Sequence, residues 1–390
     1  MNFESLKNES RDTLIRNVLP FWLEYGMDWK NGGIYTALNR DGSLLDSDKS
    51  VWFQGRALWV FSTTYLEIEE REEYLKASDN LASFIDDHCF DSDGRMFFIV
   101  SQEGRPVVKR LRYFFSEAFA IMGYAAYSML PGKTKYRDKA FSLLEKVDYM
   151  RKTEGILIPK INQETEPSIS FGEPMILINV LSELRKAYPE KEEWCTKYIS
   201  GLIAEIEKYF VKDDLKSVAP DGSFIKEHNY GRIINPGHAI EGAWFIMSEG
   251  VYRNDSHLIE LGKKILDWHW EKGWDKEYGG GIIQYRDALG LPLSEYHQDM
   301  KFWWPQCEAA IATLLSYSMT KDEKYLEWFE ETMKYIEDRF VDNEYGEWFG
   351  YFHRDGTLST PVKGNFYKGP FHIPRMYLKI IDIITSFGLK

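Results

Sequence analysis

Two histidines occupy the same place in two similar segments, Gly237-His-Ala-Ile-Glu241 and Phe371-His-Ile-Pro-Arg375. In each, an imidazole stands three residues before a charged side chain, and on a helix that spacing puts both on one face. Histidine is the side chain whose ordinary pKa lies closest to neutrality. A pair entering one cavity from different sides, here His238 and His372, suits two-base proton transfer. One removes a proton from one face of a carbon, and the other delivers a proton to the opposite face. A glutamate beside such a histidine holds its tautomer and raises its basicity. An arginine stabilises the oxyanion that forms between the two transfers.

The same form, an aromatic or glycine-containing loop running into an apolar helix with a charge near its start, recurs elsewhere. It is found at Trp52-Phe-Gln-Gly-Arg56, Phe114-Phe-Ser-Glu117, Phe171-Gly-Glu173 and Phe302-Trp-Trp-Pro-Gln-Cys-Glu308. Arg56, Glu117, Glu173 and Glu308 therefore join Glu241 and Arg375 as candidates. An acid in a first helical turn stabilises the helix whether or not it meets a ligand, so capping accounts for the four glutamates as well as substrate binding does. Arginine is unfavourable there, so Arg56 and Arg375 carry more information. Trp303 and Trp304 offer flat apolar platforms of the kind carbohydrate sites use, although core packing is the plainer account of any one aromatic ring.

The remaining histidines say less. His88, His257 and His269 fall on outer helices, and His228, His297 and His353 fall in loops. There is no HExxH or compact His/Asp cluster, so no metal is indicated, and GxGxxG, Walker and GxSxG patterns are absent. The run Lys109-Arg-Leu-Arg112 could hold a phosphate, but a solvated basic loop explains it as well.

Segments repeating at intervals of roughly sixty residues fix the fold first. Apolar spacing of helical period predicts helices over 5–25, 52–70, 73–88, 114–130, 134–150, 171–187, 190–210, 237–252, 255–272, 302–318, 321–340 and 371–387. The first helix of each pair is apolar nearly all round, as in Ala309-Ala-Ile-Ala-Thr-Leu-Leu315, which marks a buried inner ring. The second keeps a polar face, as in Lys321-Asp-Glu-Lys-Tyr-Leu-Glu-Trp-Phe-Glu-Glu331. Glycine turns with β-prone runs lie between pairs at 31–42, 93–104, 278–290 and 345–356, with weaker copies at 155–160 and 217–222. Together they describe an all-α, (α/α)6 toroid of six helical hairpins with short β-hairpin loops at one end. No linker interrupts it, so residues 1–390 read as one domain. An open solenoid is the alternative, and similar pair lengths favour closure.

A net charge of −13 and a pI near 5.3 argue against nucleic acid or an anionic membrane as the partner. Cys89, Cys195 and Cys307 show no CxxC spacing and suggest neither a disulfide framework nor a zinc site. The N-terminus lacks a signal-peptide pattern and no apolar run is long enough to span a bilayer, so a soluble cytoplasmic protein is expected.

These motifs closely resemble the N-acylglucosamine 2-epimerase family. The likeness runs in order through Trp52-Phe-Gln-Gly-Arg56, Arg112-Tyr-Phe-Phe-Ser-Glu-Ala-Phe119, Asn235-Pro-Gly-His-Ala-Ile-Glu241, Lys301-Phe-Trp-Trp-Pro-Gln-Cys-Glu308, Glu347-Trp-Phe-Gly-Tyr351 and Lys368-Gly-Pro-Phe-His-Ile-Pro-Arg375. The resemblance implies an (α/α)6 barrel interconverting N-acetylglucosamine and N-acetylmannosamine by deprotonation and reprotonation at C2 of the open-chain sugar. It matches His238 and His372 to the acid/base histidines, Arg56 to an arginine on a substrate oxygen, and Glu241 and Glu308 to pocket glutamates. It extends to Lys160 and Arg375 as cavity-lining residues. The family uses no metal, several members are activated by ATP as an effector, and homodimers are common. No element here places a nucleotide site or an interface.

Cellobiose 2-epimerases and mannose or glucose aldose–ketose isomerases share this fold and chemistry. The ending Lys-Gly-Pro-Phe-His-Ile-Pro-Arg375 is closer to the acylglucosamine branch than to a Trp-Lys-x-Pro-Tyr-His pattern. Two readings of other classes remain. One is a glycoside hydrolase on the same toroid, using two of Glu117, Glu173, Glu241 and Glu308 as acid and base. The other is a binding module, which has no need of paired histidines.

Overall fold

The computed structural model describes residues 1–109, 114–157, 167–211 and 218–390. Among these, twelve long helices follow one another: α1 (Phe3–Thr13), α2 (Val51–Glu67), α3 (Glu72–His88), α4 (Phe115–Ser128), α5 (Lys135–Lys152), α6 (Gly172–Ala187), α7 (Glu192–Tyr209), α8 (Pro236–Arg253), α9 (Ser256–Gly273), α10 (Trp303–Thr320), α11 (Glu323–Arg339) and α12 (His372–Ser386). The helix begun by α1 runs on to Gly26 through wider turns at Leu14–Val18 and Trp22–Gly26. Pro20 lies between them, and a proline lacks the N–H that an ordinary helical turn would use.

The even-numbered helices form the inner ring. Each packs on the next, and α12 reaches both α2 and α1, so the toroid closes as the repeat implies and the solenoid alternative is set aside. Burial explains the two rings. In α10 every residue from Trp303 to Ser316 is buried, whereas α11 buries only Tyr325, Phe329, Thr332, Tyr335 and Ile336, one stripe of helical period. Where inner helices α2 and α4 cross, glycine is required. A Cβ on Gly55 would lie 2.5 Å from the Phe119 backbone, and one on Gly123 would lie 2.5 Å from Gly55 O.

The strands are two or three residues long and sit beside the starts of inner helices. Lys49–Ser50 leads into α2 and pairs antiparallel with Ile99–Val100, which pairs in turn with Pro106–Val108. Lys301–Phe302 leads into α10 and pairs with Tyr351–Phe352, itself joined to Leu358–Thr360. Ile233–Ile234, just before α8, pairs with Arg286–Asp287. The expected hairpin within each glycine-turn copy is thus replaced at several places by pairing between neighbouring repeats. The first copy, 31–42, contributes only isolated bridges such as Met27 with Ile34. Residues 158–160 of the copy at 155–160, Ser217 of the copy at 217–222, and Arg110 to Arg112 of the basic run lie outside the described residues.

Buried Asp–Lys pairs pin these loops. Asp28 accepts from the backbone N–H groups of Lys30 and Asn31, at 3.1 and 2.9 Å, and from Lys49 Nζ at 2.8 Å. Asp275 with Lys301 (3.1 Å) and Asp342 with Lys363 (2.8 Å) repeat the arrangement. A turn carboxylate and a lysine close in space therefore hold the loop end of the ring in place.

Gly55→Ala should lower stability by about 1–3 kcal/mol, the usual cost of forcing atoms into a packed core. Chemical denaturation checks this, and an unchanged midpoint would show that the α2–α4 crossing has room to spare.

Candidate active site

A cavity of about 660 Å³ opens where the inner helices begin. His372 is the first residue of α12 and only 7% exposed. Its Nδ1 lies 2.8 Å from Glu308 Oε1. That same oxygen accepts from Arg375 Nη2 at 2.7 Å, and Glu308 Oε2 accepts from Trp244 Nε1 at 2.8 Å. Arg375 Nη2 also donates to Glu241 Oε1. Glu308 is therefore held as an acceptor, so His372 donates from Nδ1 and leaves Nε2 with its lone pair. Burial, with the nearby charges of Arg375 and Arg56, holds His372 well below the ordinary histidine pKa. It is a neutral base at neutral pH.

Arg56 lies one turn into α2. Its guanidinium sits 3.9 Å from the Phe119 ring centre and 4.6 Å from that of Phe371. Among the described residues it forms no ion pair, and its Nε has no hydrogen-bond partner. Burial pushes its pKa down to about 9, with Arg375 adding to the shift against the attraction of Glu241, and it stays a cation at neutral pH. An unpaired cation on a cavity wall is poised for negative charge that develops on a substrate.

His238 is exposed to the cavity, beside the capped start of α8. Asn235 Oδ1 accepts from the His238 backbone N–H at 3.1 Å, which turns the Asn235 amide nitrogen to His238 Nδ1 at 3.2 Å. Nδ1 accepts there, so Nε2 carries the proton. The two histidines are thus set in opposite tautomers. Trp304 stands beside both, its ring centre 4.9 Å from that of His238 and 5.7 Å from that of His372.

Of the residues singled out from the sequence, Arg56, His238, Glu241, Trp303, Trp304 and His372 line the cavity. Glu308 and Arg375 are buried behind His372 and reach the cavity only through it and through Glu241. Lys160 lies outside the described residues. Glu117 and Glu173 do not line the cavity. Glu117 is 1% exposed and accepts from Arg95 Nε (2.6 Å) and Met96 N–H (3.0 Å). Its equivalents are Gln54, bonded to both backbone groups of Ile34, and Gln306, bonded to both of Ile282. All three clamp the preceding loop, and Phe119 holds the place that Arg56 takes in α2. The Glu173 carboxylate lies 4.0 Å from Arg151 Nε, on the outer side.

Asn235, Gln284, His297, Tyr351 and Asn365 line the cavity without having been singled out. Asn235 before Pro236 is a helix-start signature that could have found it. Gln284, His297 and Asn365 sit on irregular loops and Tyr351 on a two-residue strand, too short for a period to point to a face.

The donor atoms of Glu241, Glu308 and His372 lie within 4.8 Å of one another, a spacing a metal could use. Arg375 already donates to both carboxylates, and a cation in that place leaves the set ill-suited to a second one. The hydrolase alternative meets the same obstacle. Of its four candidate glutamates only Glu241 reaches the cavity, and it is tied to Arg375.

A closed (α/α)6 toroid with His238, His372 and an unpaired arginine in one cavity has the features of a carbohydrate epimerase. Residues 32–369 match the family model described as N-acylglucosamine 2-epimerase (GlcNAc 2-epimerase). The chain is 34% identical to N-acylglucosamine 2-epimerase of Bos taurus, across 95% of this chain and 89% of that protein. It is 25% identical to cellobiose 2-epimerase of Dictyoglomus turgidum, over 98% and 100% of the two chains. The solved structure of cellobiose 2-epimerase from Spirochaeta thermophila superposes with a TM-score of 0.84 at 22% identity, over 98% of each chain, and shares the fold. The chain belongs to the N-acylglucosamine 2-epimerase family, and it is an isomerase. No helix among the described residues is long and apolar enough to cross a membrane.

Glu308→Gln keeps the shape but removes the charge that orients His372. Turnover should fall by at least about 100-fold, within the range of general acid–base contributions, with the circular dichroism unchanged. Near-normal kcat would show that Glu308 does not act through His372.

Proposed function

We propose that this chain interconverts N-acetylglucosamine and N-acetylmannosamine, with residues 1–390 acting as one catalytic unit. The observation that carries the reading is the pair of histidines in opposite tautomers beside Trp304 in one cavity. The bovine relative's name supplies the substrate class.

The open-chain aldehyde lies between the imidazoles, with its carbonyl oxygen toward Arg56. His372 Nε2 removes the C2 proton. The electron pair of the broken C–H bond moves into a C1–C2 double bond, and the carbonyl electrons settle on oxygen beside the Arg56 cation. His238 then gives its Nε2 proton to the opposite face of C2, the carbonyl re-forms, and the configuration at C2 is inverted. His238 regains a proton from solvent in the cavity as His372 releases the one it took. In the reverse direction the roles exchange. Glu241 accepts from a substrate hydroxyl, while Trp303 and Trp304 give the sugar's apolar face a platform. No cofactor takes part in these steps, so an effect of ATP on turnover would be regulatory. We place the activity in the cytoplasm on free sugar, in keeping with three buried free thiols at Cys89, Cys195 and Cys307.

Proton NMR in heavy water separates the two bases. His238→Gln should lose epimerisation yet still exchange C2–H for deuterium, with retention, in the epimer whose hydrogen faces His372. His372→Gln should lose both activities on that epimer. If either variant epimerises at near-normal rate, two-base transfer is wrong. Sugar release from a disaccharide without C2 exchange would instead support a hydrolase.

A further inference from the structure

Gln284 is 4% exposed, lines the cavity, and has no hydrogen-bond partner for its Oε1 among the described residues. A buried amide oxygen left unpaired costs stability, so its retention calls for a reason. Its backbone is held from both sides. The Gln284 N–H donates to Met300 O at 2.9 Å, the next N–H donates from Tyr285 to Gln298 O at 2.9 Å, and Gln306 clamps Ile282 just before it. The side chain is therefore presented on a stiff loop. The antiparallel pairing of Ile234 with Arg286 brings Gln284 beside the start of α8, on the His238 side of the cavity. Met300 and Phe302, both buried and cavity-lining, supply apolar surface nearby.

We propose that Gln284 is the specificity residue for the N-acyl group of the sugar, its amide pairing with the acyl amide while Met300 and Phe302 receive the acyl methyl. This rests on the epimerase reading above. An amide offers both a donor and an acceptor, which is what an acetamido group requires in return. A site built around a buried polar group discriminates strongly, because a ligand lacking the partner leaves that group unpaired. Gln284 is a binding residue and touches neither C2 nor the proton path.

The test is steady-state kinetics on N-acetylmannosamine with wild type, Gln284→Met and Gln284→Glu. Both replacements keep the side chain's approximate length, and Gln284→Glu serves if Gln284→Met does not fold. KM should rise by about 10-fold or more with kcat within about twofold, the split expected when uniform binding is removed. An unchanged KM, or a fall in kcat at constant KM, would overturn the assignment. Should wild type itself fail to epimerise any N-acetylhexosamine, the proposed function falls, which is a different outcome from a variant that matches an active wild type.

Discussion

One guanidinium organises the centre of this molecule. Arg375, 1% exposed, donates through a single nitrogen to Glu241 and Glu308, which come from two different inner helices, α8 and α10. Without it, two carboxylates would face each other in a dry interior. Breaking such a buried ion pair by removing one partner typically costs about 3–5 kcal/mol. The arrangement ties three helices of the ring together and fixes the acceptor that sets the tautomer of His372. Stability and chemistry therefore share one cluster.

A second guanidinium lies close to the cluster, since Arg56 and Arg375 each stand 4.6 Å from the Phe371 ring centre. Arg56 has no carboxylate of its own, and aromatic rings carry its charge at 3.9 and 4.6 Å. The like charges of Arg56 and Arg375 both act on His372 and, with burial, keep it neutral. Folding lowers the pKa of His372, so protons bind the unfolded chain first. Its contribution to stability is complete above about 6.5, the ordinary histidine value, and is lost as the pH falls. The folded-state ring stays neutral through the upper part of that window, so stability begins to fall before the base is lost and activity follows at lower pH.

The toroid was legible because each inner helix is apolar all round and each outer one is striped, and those periods survive without any knowledge of contacts. His238, His372 and Arg56 were legible because each breaks a rule for helix starts or recurs at one register. The glutamates were harder to separate. Glu117 and Glu308 read alike as acids near a helix start, yet they sit two residues apart in the repeat, and that shift turns Glu117 to the loop and Glu308 to His372. Gln54 and Gln306, which show the register, carry no charge and give no signal in the sequence. Gln284 and His297 lie on loops and Tyr351 on a two-residue strand, all placed by pairing between repeats, such as Lys301 with Phe352, so no local spacing could place them. The buried pair of Lys49 and Asp28 spans a loop and looks like surface charge in the sequence.

The neutral, Nδ1-protonated state of His372 is the point on which the chemistry turns. Nitrogen-15 NMR of the imidazole, assigned by His372→Gln and followed as pH falls through the ordinary histidine value of about 6.5, measures it directly. The expected result is a ring that stays neutral below that value with its proton on Nδ1. A ring that titrates at or above it, or that carries its proton on Nε2, would contradict the account.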